Sequence, residues 1–513
     1  MRLNEIKTGA ILSYILLILT IVISIGLTPF ILHHIGQSQY GLFAVVGAFV
    51  SYISVMDFGL SNTIIRYIAK YKAEDNENAI ENFLFMCLAF YIFITVILAG
   101  LGAIFYFKID VLFGKSFNPT ELSLTRKLFI LMLANLAITL VYNAFIGILS
   151  GYEKFIYQRG MNIIKTILRN VFVVVFLLLG YKIISIVVID TVFNVILFGL
   201  VIYYSLVVLK VKIKFHYFDK PLFKEVFAFS FFIFLAMVVD QFYWRLGQIV
   251  IGAVSGTVAS TIYAMGIQFP IYYLTFSTAI STMLLPRATK LSAKNASHEE
   301  LTDFMITTGR IQLEVLGFLL LAFAFVGKQF LMVWLGPGYD NAWIVGILIM
   351  VTITVPLAEN TTGTLVLQAK NKHAFRSVLY LIIAGVNLVI TIFFAKKWGV
   401  IGASLGTIVS FIIGNIIIIN IYYKAKIGIN ILRYFKQLIK GIIPAFIITS
   451  GIGFLTNCYI EKNTWPSFIL CSLIITVAYC LSIWFIGMNS YEKEIIKKPV
   501  CSIFNRLTSI IRK

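Results

Sequence analysis

The chain has 513 residues, 60% of them hydrophobic and 12% charged, with a formal net charge of +20. A water-soluble protein carries about twice that charged fraction and could not bury so much apolar side chain, so a soluble fold is excluded. What remains is an all-α polytopic membrane protein, because backbone polar groups in hydrocarbon must be satisfied inside each helix.

The first apolar run, residues 10–32, is too long for a signal-peptide core and lacks a small-residue cleavage site, so a retained first helix is expected. Fourteen apolar segments follow one another near 10–33, 41–67, 83–107, 128–150, 160–179, 183–209, 223–253, 258–286, 304–327, 343–369, 376–395, 400–423, 441–459 and 466–487. Two breaks are minimal, one at Gly180 and one at Trp398–Gly399. With the N-terminus inside, cytoplasmic connections hold 28 Lys and Arg against 9 outside, and five more fall in or beside helices. The positive-inside rule then places both termini in the cytoplasm. The positive charge thus reads as topology and contact with anionic inner-leaflet lipids, not as nucleic-acid binding. After Pro499, Val500, Ile503, Phe504, Leu507, Ile510 and Ile511 follow helical spacing among basic residues, which predicts a short amphipathic helix on the inner face.

No connection exceeds about 20 residues on this reading, and there is no GxxxxGK[ST]. Nothing marks an ATPase or another enzyme. The five cysteines form no CxxC and the five histidines no HExxH, so no metal or other cofactor is expected.

The chain repeats itself weakly. GILSGYEKFIYQRGMNIIKTILRN (147–170) parallels GTLVLQAKNKHAFRSVLYLIIAGVN (363–387), and YGLFAVVGAFVSYISVMDFGL from Tyr40 parallels YAMGIQFPIYYLTFSTAISTM from Tyr263. Six segments per repeat give both halves the same orientation, related by a pseudo-two-fold along the membrane normal around a cavity. The expected divisions are a six-helix lobe at 1–210, a second at 211–424, two further helices at 425–487 and a basic cytoplasmic tail at 488–513.

Ionisable residues within a bilayer cost about 2.5 kcal/mol or more each, so they face a cavity or one another. Lys165 and Arg169 are four apart on one helix face, where like charges repel and call for an anionic partner: an acidic side chain such as Asp57, Asp190 or Glu359, or a ligand phosphate. Arg310 and Glu314, also four apart, form either a self-neutralising pair or a ligand site. On a continuous helix Asp57 and Arg66 lie on opposite faces about 13.5 Å apart. Asp57, too deep to snorkel, is expected to face the cavity or a buried cation, and Arg66, at the cytoplasmic end of its helix, to reach lipid phosphates at the rim. DQFYWR puts Asp240 and Arg245 around Tyr243 and Trp244, suited to a sugar ring or to interface anchoring. VPLAENTTG (355–363) reads as a hinge at Pro356 with Glu359 facing a wet cavity, and Pro29, Pro270 and Pro286 are similar hinge candidates.

The stretch LSYILLILTIVISIGLTPFILHHIGQSQYGLFAVVGAFVSYISVMDFGLSNTIIRYIAKY (12–71) resembles the N-terminal signature of Wzx-type polysaccharide flippases of the multidrug/oligosaccharidyl-lipid/polysaccharide exporter superfamily. SGYEKF (150–155), QAKNKH (368–373) and WGVIGASLGTIVS (398–410) are similar to that family as well. The resemblance implies two six-helix lobes in a V plus two C-terminal helices. It implies ion-coupled movement of a polyprenyl-diphosphate-linked oligosaccharide to the outer leaflet of a bacterial cytoplasmic membrane, for cell-surface polysaccharide synthesis. Its partners would be that glycan, membrane lipids, and a polysaccharide polymerase or other assembly proteins. The alternatives are a multidrug or metabolite antiporter of the same architecture and a polysaccharide polymerase or ligase. Clustered Lys165 and Arg169 argue against the first, and the short external loops against the second.

Overall fold

The computed structural model describes residues 2–217, 220–293, 297–369, 374–460, 464–495 and 497. The expected tail helix after Pro499 and most of the QAKNKH turn lie outside them. Among the described residues every regular element is helical. In chain order these are α1 (Arg2–Ser54), α2 (Leu60–Ala73), α3 (Glu77–Phe113), α4 (Pro119–Gly151), α5 (Phe155–Leu178), α6 (Ile183–Tyr203) and α7 (Lys220–Ala293). They continue with α8 (His298–Leu335), α9 (Asp340–Ala369), α10 (Ala374–Phe411), α11 (Ile419–Tyr422), α12 (Ile431–Ile439), α13 (Ile442–Tyr459) and α14 (Trp465–Ser482). Helix starts carry the polar caps their sequences offer: Asn118 with Glu121 at α4 and Ser297 with Glu300 at α8 each form a reciprocal capping box.

Among the described residues, eleven helices are long and apolar enough to cross a membrane. They account for the fourteen apolar segments, the 41–67 segment running on past α1 into α2, because α1, α7 and α10 each contain two, separated by one or two non-helical residues: Gly36, Gly256 and Trp398–Gly399. The expected connection over 34–40 is thus only a break at Gly36. Gly36 (φ 79°, ψ 164°) and Gly256 (φ 85°, ψ −170°) occupy a backbone region open essentially to glycine alone, and they stand 220 residues apart. Gly180 and Gly399, both at positive φ, stand 219 apart, and the helix-ending Gly114 and Gly336 stand 222 apart. The breaks therefore recur with the period of the sequence repeat. Helices run on through Pro29, Pro270, Pro286 and Pro356, and the sharp reversals fall at the glycines.

The segment read as continuous over 41–67 is interrupted. Val55–Asp57 form a 3₁₀ turn, and Phe58 (φ 53°) and Gly59 (φ 63°) are both left-handed before α2 begins. Asp57 and Arg66 consequently do not share one helix, and the 13.5 Å spacing does not apply.

Two compact units are present. One comprises residues 1–264 with 392–403, the other 265–391 with 404–513. The first has a core of large side chains, among them Leu42, Leu60, Phe83, Tyr91 and Leu128, all nearly inaccessible. The second is built around Tyr423, Tyr434, Leu438, Ile442 and Tyr479, where the short helix α12 turns Tyr434 and Leu438 inward. Outward faces are apolar too, as lipid contact requires. On α1, Ile11, Ile15, Ile18 and Val22 form an exposed stripe.

A polar cluster between α1, α4, α5 and α6

At 100° per residue, Ser13, Thr20 and Ser24 fall within about 30° of the side of α1 opposite the exposed Ile11–Val22 stripe, and Thr28 about 70° from it. Three of these hydroxyls donate to the carbonyl four residues back in their own helix: Ser13 to Gly9, Thr20 to Leu16 and Thr28 to Ser24. Such back-bonding satisfies the donor and leaves oxygen lone pairs free to accept. Thr20, Ser24 and Thr28 line a pocket of about 300 Å³ within the first unit, with Thr166, Arg169 and Asn170 of α5 opposite.

Arg169 is held by Asp190 of α6 through two hydrogen bonds, Nε to Oδ1 at 2.5 Å and Nη2 to Oδ2 at 3.0 Å. Its Nη1 donates to Asn170 Oδ1 at 2.8 Å, while Asn170 Nδ2 donates to the Thr166 carbonyl at 2.6 Å. Three of the five guanidinium N–H groups are engaged, leaving two for whatever enters the pocket Arg169 lines. One turn away, the Lys165 ammonium donates to Asn194 Oδ1, and Asn194 Nδ2 donates to Asn135 Oδ1 of α4 at 2.6 Å. Two cations face one carboxylate, so the cluster keeps one net positive charge amid amides and hydroxyls. The geometry can bind hydroxyl-rich and anionic groups together.

Of the sequence candidates, the structure thus brings Lys165, Arg169 and Asp190 to one place. Asp57 sits apart, in the break before α2, where Asn143 Nδ2 donates to its Oδ1 at 3.2 Å; the adjoining Phe58 ring stacks on Phe234 at 4.5 Å. Arg66 is exposed on α2, 5.8 Å from the Tyr67 ring centroid. On α7, Asp240 is exposed, Arg245 half-buried and Tyr243 buried.

In the second unit, Glu359 is wholly inaccessible, and Asn420 Nδ2 donates to both of its oxygens at 2.9 and 3.0 Å. Glu359 is closed in rather than facing the expected wet cavity: among the described residues, α11 and its flanking π-turns (Ile412–Ile418 and Tyr423–Ile427) pack over it. Arg310 pairs mainly with Glu492, at 2.6 and 3.0 Å, and stands 3.9 Å from Glu314, so the expected local pair is secondary to a long-range one. No group of three or more His, Cys, Asp or Glu able to hold a metal occurs among the described residues, and the four described cysteines are free.

Sequence reasoning missed Asn135, Asn143, Asn194 and the α1 hydroxyls. The i, i+4, i+8 spacing of Thr20, Ser24 and Thr28 within an apolar run was the available signal. Glu492 carried none, since only folding brings it to Arg310.

The chain is 21% identical over 509 residues to a protein of Bacillus subtilis (strain 168) described as uncharacterized membrane protein EpsK, covering 94% of this chain and 95% of that one. Its fold is similar to that of a lipid II flippase MurJ in an inward closed conformation, with a TM-score of 0.66, 18% identity and coverage of 93% and 98%. It is also similar to an inward-facing multidrug resistance MATE family transporter of the MOP superfamily, with a TM-score of 0.58, 16% identity and coverage of 78% and 96%. Residues 6–292, more than half of its length and inclusive of the whole polar cluster, match the family described as polysaccharide biosynthesis protein, and the chain belongs to that family.

Proposed function

We propose that this protein is a flippase. It carries a polyprenyl-diphosphate-linked oligosaccharide from the inner to the outer leaflet of a bacterial cytoplasmic membrane by alternating access between two six-helix lobes, coupled to an ion gradient, with both termini cytoplasmic. The observation that carries this reading is the net-cationic pocket in a membrane-spanning unit of a polysaccharide biosynthesis family member. Hydroxyls of Thr20, Ser24 and Thr28 and the amide of Asn170 suit sugar hydroxyls, while Arg169 and the neighbouring Lys165 suit a diphosphate. A multi-sugar headgroup cannot cross about 30 Å of hydrocarbon unaided, and such a lining replaces its water. A cation-exporting antiporter calls for the opposite local charge.

The test is depletion of the protein in its own cell. Lipid-linked oligosaccharide should accumulate on the cytoplasmic face and surface glycan should fall. Lys165→Ala and Arg169→Ala should fail to restore export at normal membrane levels. Unchanged lipid intermediates on depletion, with altered resistance to cationic drugs, would reject the flippase reading in favour of the antiporter.

A further inference from the structure

A second cluster lies in the second unit, where α8 meets the α12–α13 turn and the segment after α14. Arg310 Nε and Nη2 donate to the two Glu492 oxygens, its Nη1 to the carbonyls of Gln437, Leu438 and Lys440, and its Nη2 also to the Gly487 carbonyl at 2.7 Å. All three charged side chains are buried: Arg310 and Glu314 are 7% exposed and Glu492 1%. Glu314 and Glu492 lie within hydrogen-bonding reach of each other, yet Glu314 Oε1 has no hydrogen-bond partner.

One guanidinium cannot neutralise two carboxylates, and among the described residues no cation other than Arg310 is paired with Glu314 or Glu492. Lys440 contributes only its carbonyl and its side chain is exposed. From α14 comes the Tyr479 hydroxyl, which donates to the Glu314 backbone carbonyl at 2.5 Å. The other ionisable groups of α13 are Cys458 and Tyr459 at its far end, and Asp303 is paired with Arg433 two turns back along α8. Two buried carboxyls in contact do not both ionise; a single proton on Glu314 removes the repulsion and lets its carboxyl donate to Glu492.

We infer that Glu314 and Glu492 form a proton-binding site, holding one proton at neutral pH that keeps the segment after α14 docked on α8. Glu492 is the member that ionises. Burial opposes its charge, but the Arg310 guanidinium and the Asn489 N–H more than offset that and hold its carboxyl below the ordinary value. Glu314 is the member that keeps the proton. The inference is independent of what the protein transports.

The test uses the full chain in lipid nanodiscs, with thermal unfolding followed from about pH 5 to about pH 8. The wild type should lose stability as pH rises across this range, because the unfolded Glu314 carboxyl gives up its proton there while the folded pair keeps it. Glu314→Gln, which cannot ionise, should lose that part of the slope and melt with a shallower dependence on pH. Infrared difference spectra should show a protonated-carboxyl C=O band in the wild type that Glu314→Gln removes. Superimposable pH profiles, or an unchanged band, would overturn the inference. Should Glu314→Gln fail to fold, Glu492→Gln decides: with one acid left beside Arg310 the band must vanish, and its persistence rejects the site.

Discussion

Arg169 and Asp190 hold each other across α5 and α6, both partly exposed to the pocket. A fully buried pair that loses one partner costs about 3–5 kcal/mol, and solvent screening lowers that here. Arg169→Ala, Asp190→Ala and the double variant should therefore show a coupling of about 1–2 kcal/mol in thermal unfolding, with the double less damaged than the two singles combined. A coupling of zero would mean the bridge does not hold the helices. The sequence marked both residues as buried charges, and their partnership was one of several pairings it allowed. Helical spacing says which residues of α5 share a face, but nothing local says which face of α6 meets it. Glu492 shows the same limit more strongly: it lies 182 residues from Arg310, in a stretch whose sequence looks like solvated tail.

At the level of elements, helix content followed directly from composition, because a bilayer leaves the backbone no other internal solution. Break positions did not. Prolines drew the hinge assignments, whereas the reversals occur at Gly36 and Gly256, whose φ of 79° and 85° a side chain resists. A Cβ at Gly36 would meet nothing within 4 Å, and at Gly256 only the Ser116 carbonyl at 3.3 Å. Any loss on substitution is therefore a backbone effect. Gly36→Ala and Gly256→Ala should each cost about 1–3 kcal/mol, read as a lower melting temperature. Gly26→Ala, equally uncrowded and at an ordinary helical φ, should be neutral or slightly stabilising. Equal behaviour of all three would show that the breaks are not glycine-dependent.

For the whole molecule, the orientation proposed from the Lys and Arg count is open to direct test. In a cysteine-free background, Lys115→Cys should react with an impermeant maleimide added outside intact cells, and Lys212→Cys only after the membrane is opened. The reverse pattern would invert the proposed topology and with it the direction of transport. The sequence by itself determined that the chain crosses a membrane as helices, how many apolar segments it has, and that it repeats with a period near 220 residues. Those properties depend on the free energy of each segment in lipid and on local backbone preference, which any stretch of chain carries alone. Tertiary structure decided which charges meet. It paired Arg169 with Asp190 and Arg310 with Glu492, closed Glu359 under Asn420, and turned the α1 hydroxyls toward α5. Pairing depends on the packing of helices distant in sequence, and several partners of equal chemistry compete for each charge until packing removes all but one.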